Sequence, residues 1–552
     1  MNKPWLKTYP KDIPPEIDSS KFDTLVDVID HSFSKYGKSV AFCNMGIELK
    51  YSDIDRFSKQ LASFLQSHSS LRPGDRIAVM MPNILQYPIT IMGILRAGMV
   101  VVNVNPLYTA RELRHQLKDS GAKAIIVLEN FASTVSEALD ESDIELVIVT
   151  KVGDHFPILK KYIVNFILKY IKRIVPLWKI KGYINYSDIF SSKESFDYKK
   201  FDLSGNDIAF LQYTGGTTGL SKGAMLTHKN IITNILQLDA WTKPIQKKGD
   251  IVVTPLPLYH IFSLSLNLFL FMYLGAYNLL ITNPKDINGF VKELKKYSFS
   301  YITGVNTLYA ALLRDPQFRN IDFSNLKLAM GGGMAVQKET SEKWKAITGR
   351  PIVQGYGLTE TSPVVSATLI SSSNFNGAAG LPVPSTELKI IDKEGIILPI
   401  NEVGEICIRG PQVMKGYWRN KEATTVSISP EGWFHSGDLG HIDEEGYLFI
   451  DDRLTDMIIV SGFNVYPSEI EDFVITHPGI DEVAAIGVPD SDSGEAVKLF
   501  VVKNDDKLTS RAIIDFCRQG LTGYKIPQSV KFCDDLPKTN VGKILKRALK
   551  GN

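Results

Sequence analysis

The stretch MVVVNVNPLYTARELRHQLKDSGAKAIIVL, Met99–Leu128, carries the pattern that decides the fold. It opens on one continuous apolar run, MVVVNV (Met99–Val104), and closes on another, AKAIIVL (Ala122–Leu128). Between them RELRHQLKDSG (Arg111–Gly121) reads as an amphipathic helix. Strands that are apolar on every residue are buried on both faces, and such strands run parallel with helices crossing between them. RIAVMM (Arg76–Met81) and ELVIVT (Glu145–Thr150) repeat the signal on either side. The expected class is therefore α/β, with layered, mostly parallel sheets.

Further along, the texture changes. From about Thr386 come short strands and turns, TELKIID, GEICIRG and YLFIDDR, and after Asp456 a compact tail holding VAAIGVP and AVKLFVV. A boundary is expected at Asp452–Asp456. It separates residues 1–453, layered α/β sheets with a small β-barrel-like part, from a small α+β domain over 454–552. At 552 residues, two or more domains are expected.

Composition narrows the function classes. Lys and Arg number 62 against 60 Asp and Glu, so nothing in the charge balance points to nucleic acid. The four cysteines, Cys43, Cys407, Cys517 and Cys533, lie far apart without a CxxC pair, which argues against a disulfide scaffold or zinc cluster and fits a reducing, cytoplasmic setting. The first residues lack the apolar run of a secretory signal. Ile251–Pro284 is free of Asp, Glu, Lys and Arg, but Pro255, Pro257 and Gly275 interrupt it. It reads as strand, loop, buried helix and buried strand rather than as a membrane span. Residues 156–186 contain no acidic residue. On a helical projection Lys161, Asn165, Lys169, Lys172 and Arg173 share one face, and Ile163, Phe166, Ile167, Tyr170, Ile171 and Ile174 share the other. Such a helix either lies on an anionic leaflet or packs on the core with its basic side in water.

The strongest chemical signal is YTGGTTGLSKGA, Tyr213–Ala224. Glycines let backbone N–H groups approach an anion, Thr hydroxyls add donors and Lys222 adds charge, the composition of a phosphate cradle. A strand is expected before it, at Ile208–Gln212, and a helix after it, from Met225. The spacing is not that of a Walker A loop. GGGM (Gly331–Met334) could let a flat ring approach the backbone. QGYGLTE (Gln354–Glu360) groups an aromatic, a hydroxyl and a carboxylate. GWFHSGDLG (Gly432–Gly440) offers Asp438 to a sugar's hydroxyls, and PKTNVGKILKR (Pro537–Arg547) presents Lys543.

Together, in this order, these segments resemble the adenylate-forming superfamily of acyl-CoA synthetases, adenylation domains and luciferases. Within it the chain is most similar to bacterial long-chain fatty-acid–CoA ligases, through MMPNILQYP, NVNPLYT, PLPLYHIF and SGFNVYPSEIE among others. The resemblance implies ATP-dependent activation of a long-chain fatty acid to acyl-CoA through acyl-AMP, with Mg²⁺, and with CoA as co-substrate. It assigns the ATP phosphates to Thr214, Gly215, Gly216, Thr217, Thr218, Gly219 and Lys222. Gly331, Gly332 and Gly333, with Tyr356, bracket the adenine, Gly357 is a further ATP-binding residue, and Asp438 and Arg453 hold the ribose. Thr359 contacts the α-phosphate, and Glu360 with Thr214 holds the metal. Lys543 reaches the reacting carboxylate from the mobile small domain, and His260 borders the acyl and pantetheine channels. Thr455 stands where relatives carry a hinge Asp or Lys, and Ser461, Gly462 and Phe463 line the CoA channel. The alternatives are an acyl-AMP ligase loading a carrier protein and a medium-chain ligase. A peripheral contact with anionic membrane through 156–181, on the inner face, is also expected.

Overall fold

The computed structural model describes residues 3–191, 198–214, 221–372, 375–460, 463–490, 493–539 and 542–550. They fall into two compact units. One comprises residues 9–386 with 409–430, the other residues 1–8, 387–408 and 431–552.

The larger unit is built on two sheets. In the seven-stranded sheet the spatial order is Ile184–Asn185, Leu146–Thr150, Ala124–Leu128, Arg76–Met80, Val100–Asn103, Ile208–Thr214 and Lys222–Thr227. Every neighbouring pair but the last is parallel, as the continuous apolar runs predict. The helix Ala110–Ser120 is closed at its start by a reciprocal Thr109–Glu112 capping box and at its end by Gly121 in the left-handed region. It buries Leu113 and Leu117. The nine-stranded sheet has a parallel centre, including Ile251–Thr254, Tyr301–Gly304, Leu328–Gly332 and Ile352–Gly357, with antiparallel edges. The uncharged stretch folds as expected, into strand Ile251–Thr254, a buried helical segment over 261–273 whose middle, Leu264–Leu270, is π-helical, and strand Tyr277–Leu280. Among the described residues no helix is long and apolar enough to cross a membrane.

Two readings change. The glycine-rich loop is not followed by a helix. Lys222–Thr227 is a second strand, paired antiparallel with Ile208–Thr214, and Thr214 stands opposite Lys222. The helix begins only at His228, where Thr227 and Asn230 form a capping box. KGAMLT pairs along its whole length with the open edge of Ile208–Thr214, and that ladder takes the place of an extra helical turn.

The basic segment is a helix over Ile158–Phe166 that continues through a π-helical turn to Ile171. Its orientation is the reverse of a core-packed amphipathic helix. Lys161 pairs with Asp154 at 3.3 Å, Asn165 accepts from the Gly153 amide at 3.0 Å, and Lys160 donates to the Met45 carbonyl at 2.7 Å. A Cβ at Gly153 would lie 2.9 Å from the Lys161 carbonyl oxygen, so helix and loop are in close contact. The start of the polar stripe thus docks on the body while Lys169, Lys172 and Arg173 stay exposed, and Ile163, Phe166, Tyr170, Ile171 and Ile174 face solvent. Lys161 is accordingly not part of an outward basic face.

The smaller unit holds a four-stranded sheet in the order Glu387–Ile391, Gly404–Arg409, Phe434–Ile442 and Leu448–Arg453, the last three antiparallel to one another in turn. It also holds a five-stranded sheet centred on the long pair Ile480–Asp490 and Gly494–Lys503. Helices Pro467–Val474 and Ser510–Cys517 supply Ile470, Val474, Ile513 and Cys517 to the core of that second sheet. Cys43, Cys407 and Cys517 are buried and Cys533 is partly exposed, all as free thiols.

Candidate functional site

In the larger unit the expected residues gather at the C-terminal ends of parallel strands, where open α/β sheets bind ligands. Gly331 and Gly332 end the strand Leu328–Gly332, in register with Gln354 and Gly355 of the next strand, whose following residue is Tyr356. The glycines differ in what they leave open. A Cβ on Gly331 would meet Val336 at 2.6 Å and Ile352 at 2.9 Å, and one on Gly332 would meet the Phe262 ring at 3.2 Å. The protein's own side chains use that space. Gly333, at φ +78°, has only Val305 nearby at 3.8 Å and leaves room beside the backbone for a ring. Gly357 permits a tight turn, since a Cβ there would fall 1.9 Å from the Pro363 carbonyl oxygen.

That turn carries Thr359 and Glu360. Glu360 is buried, and its Oε1 accepts from the Tyr417 hydroxyl at 2.8 Å. Burial and the carboxylate push the phenol's pKa well above its ordinary value, so it remains a donor. The Tyr417 ring also lies under Lys222, whose Nζ is 4.8 Å from the ring centroid. Gly416 and Trp418 hydrogen-bond along Lys222–Thr227, so this segment is part of the hairpin's wall. Tyr417 is a residue that sequence reasoning missed. Thr214 and Lys222 flank residues 215–220. The expected phosphate contacts Gly215, Gly216, Thr217, Thr218 and Gly219 therefore lie outside the described residues. Glu360 and Thr214 offer hard oxygen donors, a set that suits Mg²⁺.

His260 caps the start of the helical segment at Ile261–Ser263, and its Nδ1 accepts from the Phe262 amide at 3.3 Å. Burial lowers its pKa to about 4, so it is neutral at pH 7 with its proton on Nε2. A buried polar chain holds the preceding loop. Tyr87 donates to Asn103 Oδ1 at 2.7 Å and to the Leu258 carbonyl at 2.9 Å. Asn103 donates to Gln212, and Gln212 to the Tyr259 carbonyl. Asn83 holds Thr254, Leu256 and Leu258. The motif residues of QYP, NVN and MMPN thus form a scaffold that ties the loop before His260 to the strand ending in Thr214.

The smaller unit brings together another set. Asp438 and Arg453 are register partners on adjacent antiparallel strands, with Arg453 Nε 3.0 Å from Asp438 Oδ1 and Asp438 buried. Lys543 follows Gly542 at φ +85°, in a turn closed by its amide on Thr539 Oγ1 at 3.0 Å. Its pKa is lowered to about 8, first by burial and then by Arg453, while Asp438 and Asp456 pull it up. Three residues from separate motifs therefore share one electrostatic neighbourhood. Thr455 is exposed on a turn in which the Asp456 and Met457 amides both donate to the Arg453 carbonyl. Ser461 and Gly462 lie outside the described residues, and Phe463 opens the short strand Phe463–Val465.

Glu405, Cys407 and His435 also bring ligand-type atoms within 4.8 Å of one another. Here His435 Nδ1 is 3.1 Å from Glu405 Oε2, and burial raises the Cys407 thiol to about 12. Internal hydrogen bonding accounts for this trio.

The model of the AMP-binding enzyme family matches residues 29–418, and that of the AMP-binding enzyme C-terminal domain matches 469–543. A long-chain-fatty-acid–CoA ligase of Escherichia coli O6:H1 is 52% identical, across 100% of this chain and 98% of its own length. A protein of the same name from Bacillus subtilis is 38% identical over 99% and 97%. Among solved structures, ATP-bound MatB from Rhodopseudomonas palustris has a TM-score of 0.82 at 26% identity, covering 96% of this chain and 99% of that one.

Proposed function

The chain belongs to the AMP-binding enzyme family, and on that premise we propose that it is an AMP-forming long-chain fatty-acid–CoA ligase. The observation that carries the substrate class is the full-length identity, 52%, to a ligase of that name. In the first half-reaction the ionised carboxylate attacks the α-phosphorus of ATP, forming acyl-AMP and releasing pyrophosphate. In the second, the CoA thiol attacks the acyl carbon, AMP leaves with the former carboxylate oxygen, and the thiol proton goes to solvent. Both nucleophiles come from substrates, so the protein's task is positioning and charge stabilisation.

Thr214, Lys222 and residues 215–219 cradle the phosphates, and Gly333 with Tyr356 receives the adenine beside Gly331, Gly332 and Gly357. Asp438 and Arg453 hold the ribose. Thr359 contacts the α-phosphate. Lys543, still mostly protonated at pH 7, supplies charge where the carboxylate meets it. Glu360 and Thr214 would hold Mg²⁺, which offsets negative charge on the phosphates. Neutral His260 acts as an Nε2 donor and not as a cation. The working division of the chain is 1–453 and 454–552, with Thr455 as the pivot and Ser461, Gly462 and Phe463 at the CoA channel. The proposal includes a cytoplasmic location and a peripheral contact with anionic lipid through 156–181.

The deciding measurement is AMP release by purified protein from ATP, Mg²⁺ and palmitate, with and without CoA. CoA-dependent palmitoyl-CoA is expected. Acyl-AMP that accumulates regardless of CoA would instead favour carrier-protein loading, and preference for octanoate would favour a medium-chain ligase.

A further inference from the structure

The helix Ile158–Phe166 and the turn after it do something unusual for a water-facing element. Lys160, Lys161 and Asn165 are spent on the protein, and a set of large apolar side chains is left outside. Ile158 is 78% exposed, Leu159 75% and Leu177 96%, and Tyr162, Phe166 and Ile171 are exposed with them. Isolated exposed apolar residues need no explanation, but a contiguous set marks a protein or membrane contact. The surrounding charge separates those two. No acidic residue occurs from 156 to 186, and Lys169, Lys172, Arg173, Lys179 and Lys181 are all exposed. An apolar strip carrying tyrosines, in a segment whose only charges are cationic, is complementary to an anionic bilayer, with acyl chains inside and phosphates at the rim.

We infer that this element enters the outer layer of an anionic bilayer by its apolar face, with the exposed lysines and Arg173 at headgroup level. The inference deepens the peripheral contact proposed above and rests on it. It reverses the expected geometry, in which the basic face of the helix meets the lipid. Lys160, Lys161 and Asn165 fix the angle of entry by holding the helix to Met45, Gly153 and Asp154.

The test is flotation of the full chain with vesicles of phosphatidylcholine and phosphatidylglycerol, without ATP or CoA, so that ligase activity plays no part in the readout. Wild type should float with anionic vesicles and keep part of that binding at 0.5 M salt, where surface charge is screened. The combined variant Leu159→Ser, Phe166→Ser, Ile171→Ser should lose roughly 100-fold in partitioning, while still activating soluble octanoate. Removing two of the cations, Lys169→Gln with Lys172→Gln, should cost about 30-fold at low salt and little at high salt. As an independent readout, Tyr162→Trp fluorescence should be quenched by lipids brominated on their acyl chains. Unchanged binding in the triple serine variant, or no quenching at position 162, overturns insertion even if the charge-dependent contact persists. Loss of a wild-type dimer in the serine variant, with no vesicle binding by wild type, would overturn it in favour of a second copy of the chain.

Discussion

Tyr417 joins two expected functions through one side chain: its hydroxyl holds Glu360 and its ring underlies Lys222. Tyr417→Phe keeps the ring and removes the bond. A hydrogen bond to a charged group contributes about 1.5–3 kcal/mol, so the variant should need roughly tenfold more Mg²⁺ for adenylation. Calorimetric Mg·ATP binding should weaken in parallel, and thioester formation from supplied acyl-AMP should hold. An unchanged Mg²⁺ requirement would remove Tyr417 from the site. Lys543 leads to a pH prediction. With its pKa lowered to about 8, its charge is lost as pH rises through that value. The kcat/KM of adenylation should therefore fall above pH 8, and Lys543→Arg should move the fall upward. Lys543→Ala should lose on the order of 10²–10³ in adenylation, with much less effect on thioester formation from acyl-AMP. Asp438 and Lys543 stand out in the sequence because each sits in a motif dense with turn-forming glycine or charge, whereas Arg453 comes only from the family resemblance. Tyr417 does not stand out, because its partner lies 57 residues away and only the fold joins them.

At the scale of elements, the turn Arg453–Asp456 decides what a proline at Thr455 would do. Its two amide bonds to the Arg453 carbonyl require Leu454 to be α-like, and proline disfavours that conformation in the residue before it. Thr455→Pro should break the turn that leads away from Arg453 in the conformer where Lys543 lies beside Asp438. Adenylation should drop more than thioester formation from supplied acyl-AMP, measured by pyrophosphate exchange and by acyl-CoA yield in one preparation. Equal retention of both would move the pivot elsewhere. Apolar period read correctly for the strands and for the uncharged stretch, because burial on both faces is written into every residue. It could not read the hairpin after Thr214, whose second strand exposes Lys222 and Met225 partly at a spacing of three, as a helix start would. Nor could it orient the helix at Ile158, since period defines two faces but not which one finds partners. Those partners, Gly153 and Asp154, lie in the loop before it.

For the whole molecule, buried histidines set the acid limit. His155 is lowered to about 3, and His228 and His260 to about 4, each first by burial. His228 and His260 accept backbone amides on Nδ1, a role only the neutral ring can fill. His155 is boxed by the rings of Phe57, Tyr186 and Phe190. The unfolded chain binds these protons near pH 6.5 and the folded one resists them, so stability is complete above 6.5 and lost as pH falls toward 4. Each contributes a slope of about 1.4 kcal/mol per pH unit in that window. Melting temperature should fall steeply below pH 6, and His228→Asn, whose Oδ1 can still accept from Leu25, should flatten the curve. A melting temperature independent of pH from 7 to 4.5 would refute the assignment.

The seclusion of the thiols has a practical consequence. The proposed second substrate is itself a thiol, and oxidised CoA is a disulfide that any reactive protein cysteine would exchange with. Burial raises Cys407 to about 12 and Cys517 to about 11, and Cys43 is enclosed in the core of the nine-stranded sheet. Ellman's reagent should thus meet a single thiol in the native protein, Cys533, the one accessible side chain among the described cysteines. Colour developed during turnover would count CoA consumed, and the enzyme could work in an oxidising CoA pool without becoming mixed disulfide at its core.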